Sequence, residues 1–182
     1  MIKNSIEKSK GKRNRFIEIP IELCDEDAVI PTYARVGDAG LDVCSIEDVL
    51  LMPGETKIIR TGLKCAIPSG YELQVRPRSG KSAKTKIRIA NAPGTIDSGY
   101  RDEIGIIVEN IEPEIKKIDY IMNENGQYTI TNIIKGSPAA IGKGEKIAQL
   151  VLQEIPAAAF VKVESVSGIG ENRGGGFGHT GE

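Results

Sequence analysis

No stretch of this chain sustains the three-to-four-residue apolar spacing of a long amphipathic helix. Short apolar runs of alternating character are instead cut every few residues by Gly, Pro or acidic turns. RFIEIPIEL alternates with period two, and DVCSIEDVLLMPGETKIIRTGLKCAIPSGYELQVRP supplies three or four strands separated by PG and PSG turns. KIRIANAPGTIDSGYRDEIGIIVEN supplies two more and KGEKIAQLVLQEI another. Strands at this spacing predict an all-β sandwich or barrel. AAIGKGEKIAQL is the one segment with room for a helical turn, and its two glycines discourage more.

A chain of 182 residues holds one domain with appendages. The body is expected over 16–166, with a hairpin excursion at about 111–141, where NENG separates the two apolar-alternating arms of DYIMNENGQYTITNII. Both an inert surface hairpin and a partner-binding one fit that pattern. Residues 1–15 carry six basic side chains and one acid with no aromatic among them, which reads as a solvated arm. Across the chain 24 basic residues meet 25 acids, a net charge of −1 that lacks the basic field of a general nucleic-acid binder. No apolar run approaches the length of a membrane span, and the N-terminus has no signal-peptide segment. Cys24, Cys44 and Cys65 form neither a CxxC pair nor a zinc pattern, so reduced thiols in a cytoplasmic compartment are expected.

Four stretches stand out chemically within the body. PGTIDSGYRDE places a lone carboxylate, Asp97, before a Ser-Gly turn and Tyr100. RPRSGKSA joins a strand end to Arg78, Ser79 and Gly80, a set suited to phosphate oxygens and equally to a basic turn. ARVGDAGLDVCS carries Asp42 after a glycine-rich turn, where a strand-end acid bonding local amides is the ordinary reading. GEKIAQLVL sets Gln149 in an otherwise apolar run. The tail, 167–182, is SGIGENRGGGFGHTGE, with seven glycines in sixteen residues. Ordering the eight residues from Arg173 to Thr180 costs on the order of 10 kcal/mol of backbone entropy, so such a tail orders only against a strongly contacting ligand. One basic residue, a glycine run and one aromatic suit a lid over a nucleotide.

In this order AGLDV, RPRSGKSA, NAPGTIDSGYRDEIG, GEKIAQLVL and RGGGFGHTG resemble the motifs of the trimeric dUTPase family, from about Phe16 to the end, apart from the excursion. The resemblance implies a β-sandwich of jelly-roll type that hydrolyses dUTP to dUMP and pyrophosphate with a divalent cation, normally Mg2+. It further implies a homotrimer whose sites are each shared by three chains. The third motif would come from one chain, the first, second and fourth from another, and the tail from the last.

The roles it implies are as follows. Asp97 is the general base that activates water, and Tyr100 lies against the deoxyribose and excludes a 2′-hydroxyl. Asn91 and the strand near Gly105 read the uracil edge, and Thr95 and Ile96 line the same slot. Arg78, Ser79 and Gly80 clamp phosphate, supported by Gln149. Asp42 holds metal-bound water or braces an arginine, the cation itself being gripped by the triphosphate. Phe177 stacks on uracil, with Arg173, Gly178, His179 and Thr180 near the outer phosphates. The tail departs from the family in having one residue fewer between Arg173 and Phe177, and in placing His179 where a small hydroxyl residue is common.

Two rivals share the scaffold. A dCTP deaminase needs a glutamate on the following strand, where this chain has Ile107, with Glu109 expected on the strand's other side. A regulatory protein would use the hairpin to hold a partner.

Overall fold

The computed structural model describes residues 16–171. Fourteen strands and one short helix make up the described residues: β1 Ile21–Leu23, β2 Thr32–Tyr33, β3 Leu41–Cys44, β4 Val49–Leu51, β5 Thr56–Arg60, β6 Leu63–Cys65, β7 Tyr71–Pro77, α1 Ser79–Lys84, β8 Ile87–Ile89, β9 Gly94–Ile96, β10 Gly105–Asn110, β11 Ile115–Met122, β12 Tyr128–Lys135, β13 Ala139–Ile141 and β14 Lys146–Glu154. The all-β expectation holds. A five-stranded sheet runs β2-β3-β14-β7-β9 and a three-stranded one β5-β10-β8, while β1-β6, β13-β4 and β11-β12 form pairs. No described helix is long and apolar enough to cross a membrane.

Period-two alternation sends Leu73 and Val75 of β7, Ile106 and Val108 of β10, and Ile87 and Ile89 of β8 into one core with Val43, Leu51, Ile59 and Leu150. At roughly 25 cal/mol for each Å² of apolar surface removed from water, such side chains contribute about 1.5–3 kcal/mol apiece. The longest register is β14 against β7, from Ala148↔Pro77 to Glu154↔Tyr71. Gln149 and Arg76 therefore stand opposite each other at the end of the sheet where β7 runs into α1.

Two features differ from the sequence reading. The helical turn lies in α1, within RPRSGKSA, and not in AAIGKGEKIAQL, where a Gly142–Glu145 turn joins β13 to β14. The segment between Pro77 and Ile87 is too rich in Lys, Ser and Gly to show an apolar face, and α1 buries no side chain. The ribbon formed by β11 and β12 is also narrower than 111–141. Ala139–Ile141 pairs with β4, and Ile141 is buried in the core. Both legs of the excursion are tied down by Asn110, whose buried amide donates to Leu51 O at 3.2 Å and Ser137 O at 3.3 Å.

The strands β11 and β12 pair only with each other. Ile118↔Ile133, Tyr120↔Ile130 and Met122↔Tyr128 stand opposite, with a register irregularity after Asp119 that keeps all six on one face. Tyr120 and Tyr128 meet edge to face, centroids 5.2 Å apart.

Candidate active site

The end of β7 opens into a cavity of about 420 Å³ lined by Arg78, Ser79, Gly80, Lys81, Lys84, Thr85, Glu145 and Gln149. Three cationic side chains against one carboxylate suit a polyanion. Thr85 Oγ1 and Thr85 N both close onto Lys81 O, at 2.8 and 3.0 Å, and end α1 so that Lys81 and Lys84 remain in its last turn. Lys81 is paired with Glu145, whose other oxygen accepts from Gly142 N at 3.0 Å.

Behind this wall sits Asp42, a carboxylate only 7% exposed. It accepts from Arg78 Nε at 3.0 Å, Lys146 Nζ at 2.9 Å and Gln149 Nε2 at 3.4 Å. Burial alone would raise its pKa. The Lys146 hydrogen bond, the Arg78 and Lys146 charges and the Gln149 bond together hold it below the ordinary value. In this geometry Asp42 braces the arginine. Arg78 also donates Nη1 to Lys146 O at 3.2 Å, which leaves Nη2 for a ligand. A Cβ on Gly40 would lie 3.0 Å from Gln149 Cβ and Cδ, so the glycine of AGLDV makes room for the glutamine of KIAQL. Sequence reasoning passed over Gly40, Lys81, Lys146 and Glu145. Only Lys81 carried a signal, as extra positive charge beside Arg78 in RPRSGKSA.

Asp97, Tyr100 and their neighbours lie elsewhere. Asp97 follows β9 and is exposed, and its carboxylate has no partner among the described residues. Its backbone carbonyl accepts from Tyr100 N at 3.1 Å, closing the Ser98–Gly99 turn. Tyr100 is 39% exposed and donates its hydroxyl to Glu103 O at 2.8 Å. Asn91 is exposed and rests on Gly94, where a Cβ would approach its Nδ2 to 3.0 Å. Thr95 faces outward, whereas Ile96 is 8% exposed and its side chain belongs to the core. Only the backbone of Ile96 is left for the slot, a correction that the alternation of GTI already contained.

Gly105 stands opposite Arg60 in β10, and Ile107 and Glu109 share its face, since residues two apart in a strand point the same way. The expectation that Glu109 faces away from Ile107 is thus incorrect. Two residues, about 7 Å along the strand, separate them, and Glu109 lies opposite Arg88 and Thr56.

The β7–β9 register sets the distance between these groups. Leu73↔Ile96 and Val75↔Gly94 are partners, so Asp97 falls opposite Glu72 while Arg78 continues from the other end of β7. Six residues of extended chain put them about 20 Å apart. One chain does not bring the exposed carboxylate to the cationic cavity. Arg173, Phe177, Gly178, His179 and Thr180 lie outside the described residues, as does the 1–15 arm.

A dUTPase family model matches residues 26–122. The deoxyuridine 5′-triphosphate nucleotidohydrolase of Thermobifida fusca is 38% identical over 165 residues, 91% of this chain and 79% of that protein. The chain belongs to the dUTPase family. Among solved structures it is similar to a mutant of the Staphylococcus bacteriophage 80alpha dUTPase with dUpNHpp, at a TM-score of 0.75 and 31% identity, covering 91% of this chain and 99% of that one. It is also similar to a mutant dUTPase of phage phi11 of S. aureus, which coordinates a structural Mg(II) ion, at a TM-score of 0.68 and 32% identity over 82% and 98% of the two chains.

The described residues contain no group of three or more His, Cys, Asp or Glu able to hold a metal. With Asp42 engaged by three donors, the donor set fits a cation carried by a polyphosphate and not one caged by the protein.

Proposed function

We propose that the protein hydrolyses dUTP to dUMP and pyrophosphate in sites completed between copies of the chain. The observation that carries this reading is the β7–β9 register, which leaves base and clamp about 20 Å apart within one chain. In a closed ring, Asp97 of one copy meets the cavity of the next. The resemblance supplies the number, three. The cavity holds the triphosphate through Arg78 Nη2, Ser79, Gly80, Lys81 and Lys84, with Gln149 beside Arg78. A Mg2+ ion held by the triphosphate would neutralise part of its charge, and Glu145 is the one carboxylate that lines the cavity. Asp97 takes a proton from the water that attacks the α-phosphorus. Tyr100 rests against the sugar, while Asn91, Thr95 and the backbone of Ile96 and Gly105 enclose uracil. The 167–182 tail covers the nucleotide, with Phe177 on the base and Arg173, Gly178, His179 and Thr180 toward the phosphates.

Such an enzyme limits uracil incorporation into DNA and supplies dUMP for thymidylate synthesis. The free thiols of Cys24, Cys44 and Cys65 support a reducing, cytoplasmic setting. Pyrophosphate release from dUTP, UTP, dTTP and dCTP tests the reading: dUTP alone turns over efficiently, and turnover of all four alike would refute it. Ammonia release from dCTP would favour the deaminase; none is expected, because Ile107 offers no carboxylate.

A second role is favoured by the β11–β12 ribbon. Ile118, Tyr120, Met122, Tyr128, Ile130 and Ile133 are all exposed on one face, and a two-stranded ribbon gains little stability by itself. We propose that this face holds a protein partner. Gly136 N donates to Glu114 O at 2.9 Å, so the base of the ribbon is closed and a short turn can replace 115–135. That deletion is expected to leave dUTP turnover within about twofold and to shift Tm by only a few degrees, since it removes no core residue. Loss of turnover on deletion would make the ribbon part of the enzyme instead.

A further inference from the structure

We infer that Glu103, held by Arg60, is a positioning residue that fixes the Tyr100 ring and so sets the discrimination against a 2′-hydroxyl. The inference rests on the reading of Tyr100 as the ring that faces the sugar.

Steric exclusion works only if the excluding wall does not recede, and misplacement by about 1 Å changes rates by up to a hundredfold. Tyr100 is too exposed to be held by packing alone. Three polar contacts hold it instead. Its hydroxyl donates to Glu103 O at 2.8 Å, its N–H to Asp97 O at 3.1 Å, and Arg101 Nη1 donates to Tyr100 O and Ser98 O at 2.7 Å each. The hydroxyl bond reaches furthest from the backbone and ends on the main-chain carbonyl of Glu103, so the ring can be no steadier than the Glu103 backbone that its carboxylate anchors.

Glu103 is anchored to the neighbouring strands. Its Oε1 accepts from Gly62 N at 2.8 Å, and its Oε2 accepts from Arg60 Nε at 3.3 Å and Nη2 at 3.2 Å. Arg60 is fixed in turn by Asp25 Oδ2 at 3.5 Å and, through its backbone N–H, by Glu47 Oε1 at 2.9 Å. One residue on, Ile104 N donates to Leu63 O at 2.8 Å, and Thr61 Oγ1 donates to Ile104 O at 2.6 Å. The loop from Asp97 to Glu103 is therefore pinned by β9 at one end and by this peg at the other. An ion pair as exposed as Arg60–Glu103 adds little to global stability. Its consequence is local: the ring is held where the sugar arrives.

The test measures kcat and KM on dUTP and UTP for the wild type, Glu103→Gln, Arg60→Gln and Tyr100→Phe, with Tm recorded for each. The ratio of kcat/KM for dUTP over UTP is expected to fall by about tenfold in each variant, mainly through better use of UTP, with little change in Tm. Tyr100→Phe keeps the ring and removes only the hydroxyl bond, so it decides the matter even if the charge variants fold poorly. An equal loss on both substrates, or an unchanged ratio in Tyr100→Phe, would overturn the positioning role. A wild type that uses UTP as readily as dUTP would overturn the sugar-facing reading of Tyr100 before any substitution is made, and the peg with it.

Discussion

Asp97→Asn is expected to bind dUTP with nearly unchanged affinity and to hydrolyse it at least 10²-fold, and up to about 10⁴-fold, more slowly, the range expected for loss of a general base. The substitution preserves the size and hydrogen-bonding outline of the side chain and removes only its ability to take a proton. Asp97 is exposed and no described residue donates to its carboxylate, so fold stability should not change. A carboxylate held in salt bridges would have lost stability on the same exchange; this one stands ready for a ligand. Single-turnover measurements with saturating dUTP separate the two effects, with binding retained and chemistry lost. Parallel loss of binding and turnover would instead make Asp97 a binding residue.

Asp42→Ala is expected to damage both the clamp and the fold. Removal of the carboxylate leaves Arg78 Nε, Lys146 Nζ and Gln149 Nε2 without their shared acceptor. Arg78 and Lys146 are partly exposed and can rehydrate, so the stability cost is about 1–3 kcal/mol and not the larger figure of a fully buried pair. That corresponds to a fall in Tm of several degrees for a domain of this size. The kinetic effect should match the upper end of that free-energy range. A guanidinium no longer held along its Nε edge samples orientations that miss the phosphate, and kcat/KM falls by about 10²-fold.

The pH dependence has a definite sign. Asp42 has a folded-state pKa below its ordinary value, so the stability it contributes is complete above that ordinary value and lost as pH falls through the lowered one. The Tm gap between wild type and Asp42→Asn should accordingly stay constant above about pH 4 and close in stronger acid. A gap that widened on acidification would contradict the bracing role.

Much of this architecture was legible because strand chemistry is local. YELQVRP and GIIVEN alternate so plainly that their core faces follow from period two. The same rule would have placed Ile96 in the core and Glu109 beside Ile107. For Glu109 the period itself was misapplied, since residues two apart share a face. Other features depend on residues far apart in the chain. Gly40 makes space for Gln149, and Glu103 reaches Arg60 across 43 positions; neither partner can be found from its own neighbourhood. Helix α1 was missed for a different reason: a six-residue helix that buries nothing leaves no apolar period to detect. The separation of Asp97 from Arg78 needed the β7–β9 register, which turn signals do not set when strands are joined through a helix and a third strand.

The shared site is tested most directly by mixing two inactive proteins. Asp97→Asn lacks the base and retains the clamp; Arg78→Ala lacks the clamp and retains the base. If each site takes these groups from different chains of a closed ring, random reassembly of the two at equal amounts makes about a quarter of the sites intact. Dissociation, mixing and refolding should then restore dUTP turnover to about one quarter of the wild-type rate. A mixture that is no more active than its parents, while gel filtration shows that the chains have exchanged, would mean that one chain supplies both groups and would contradict the account.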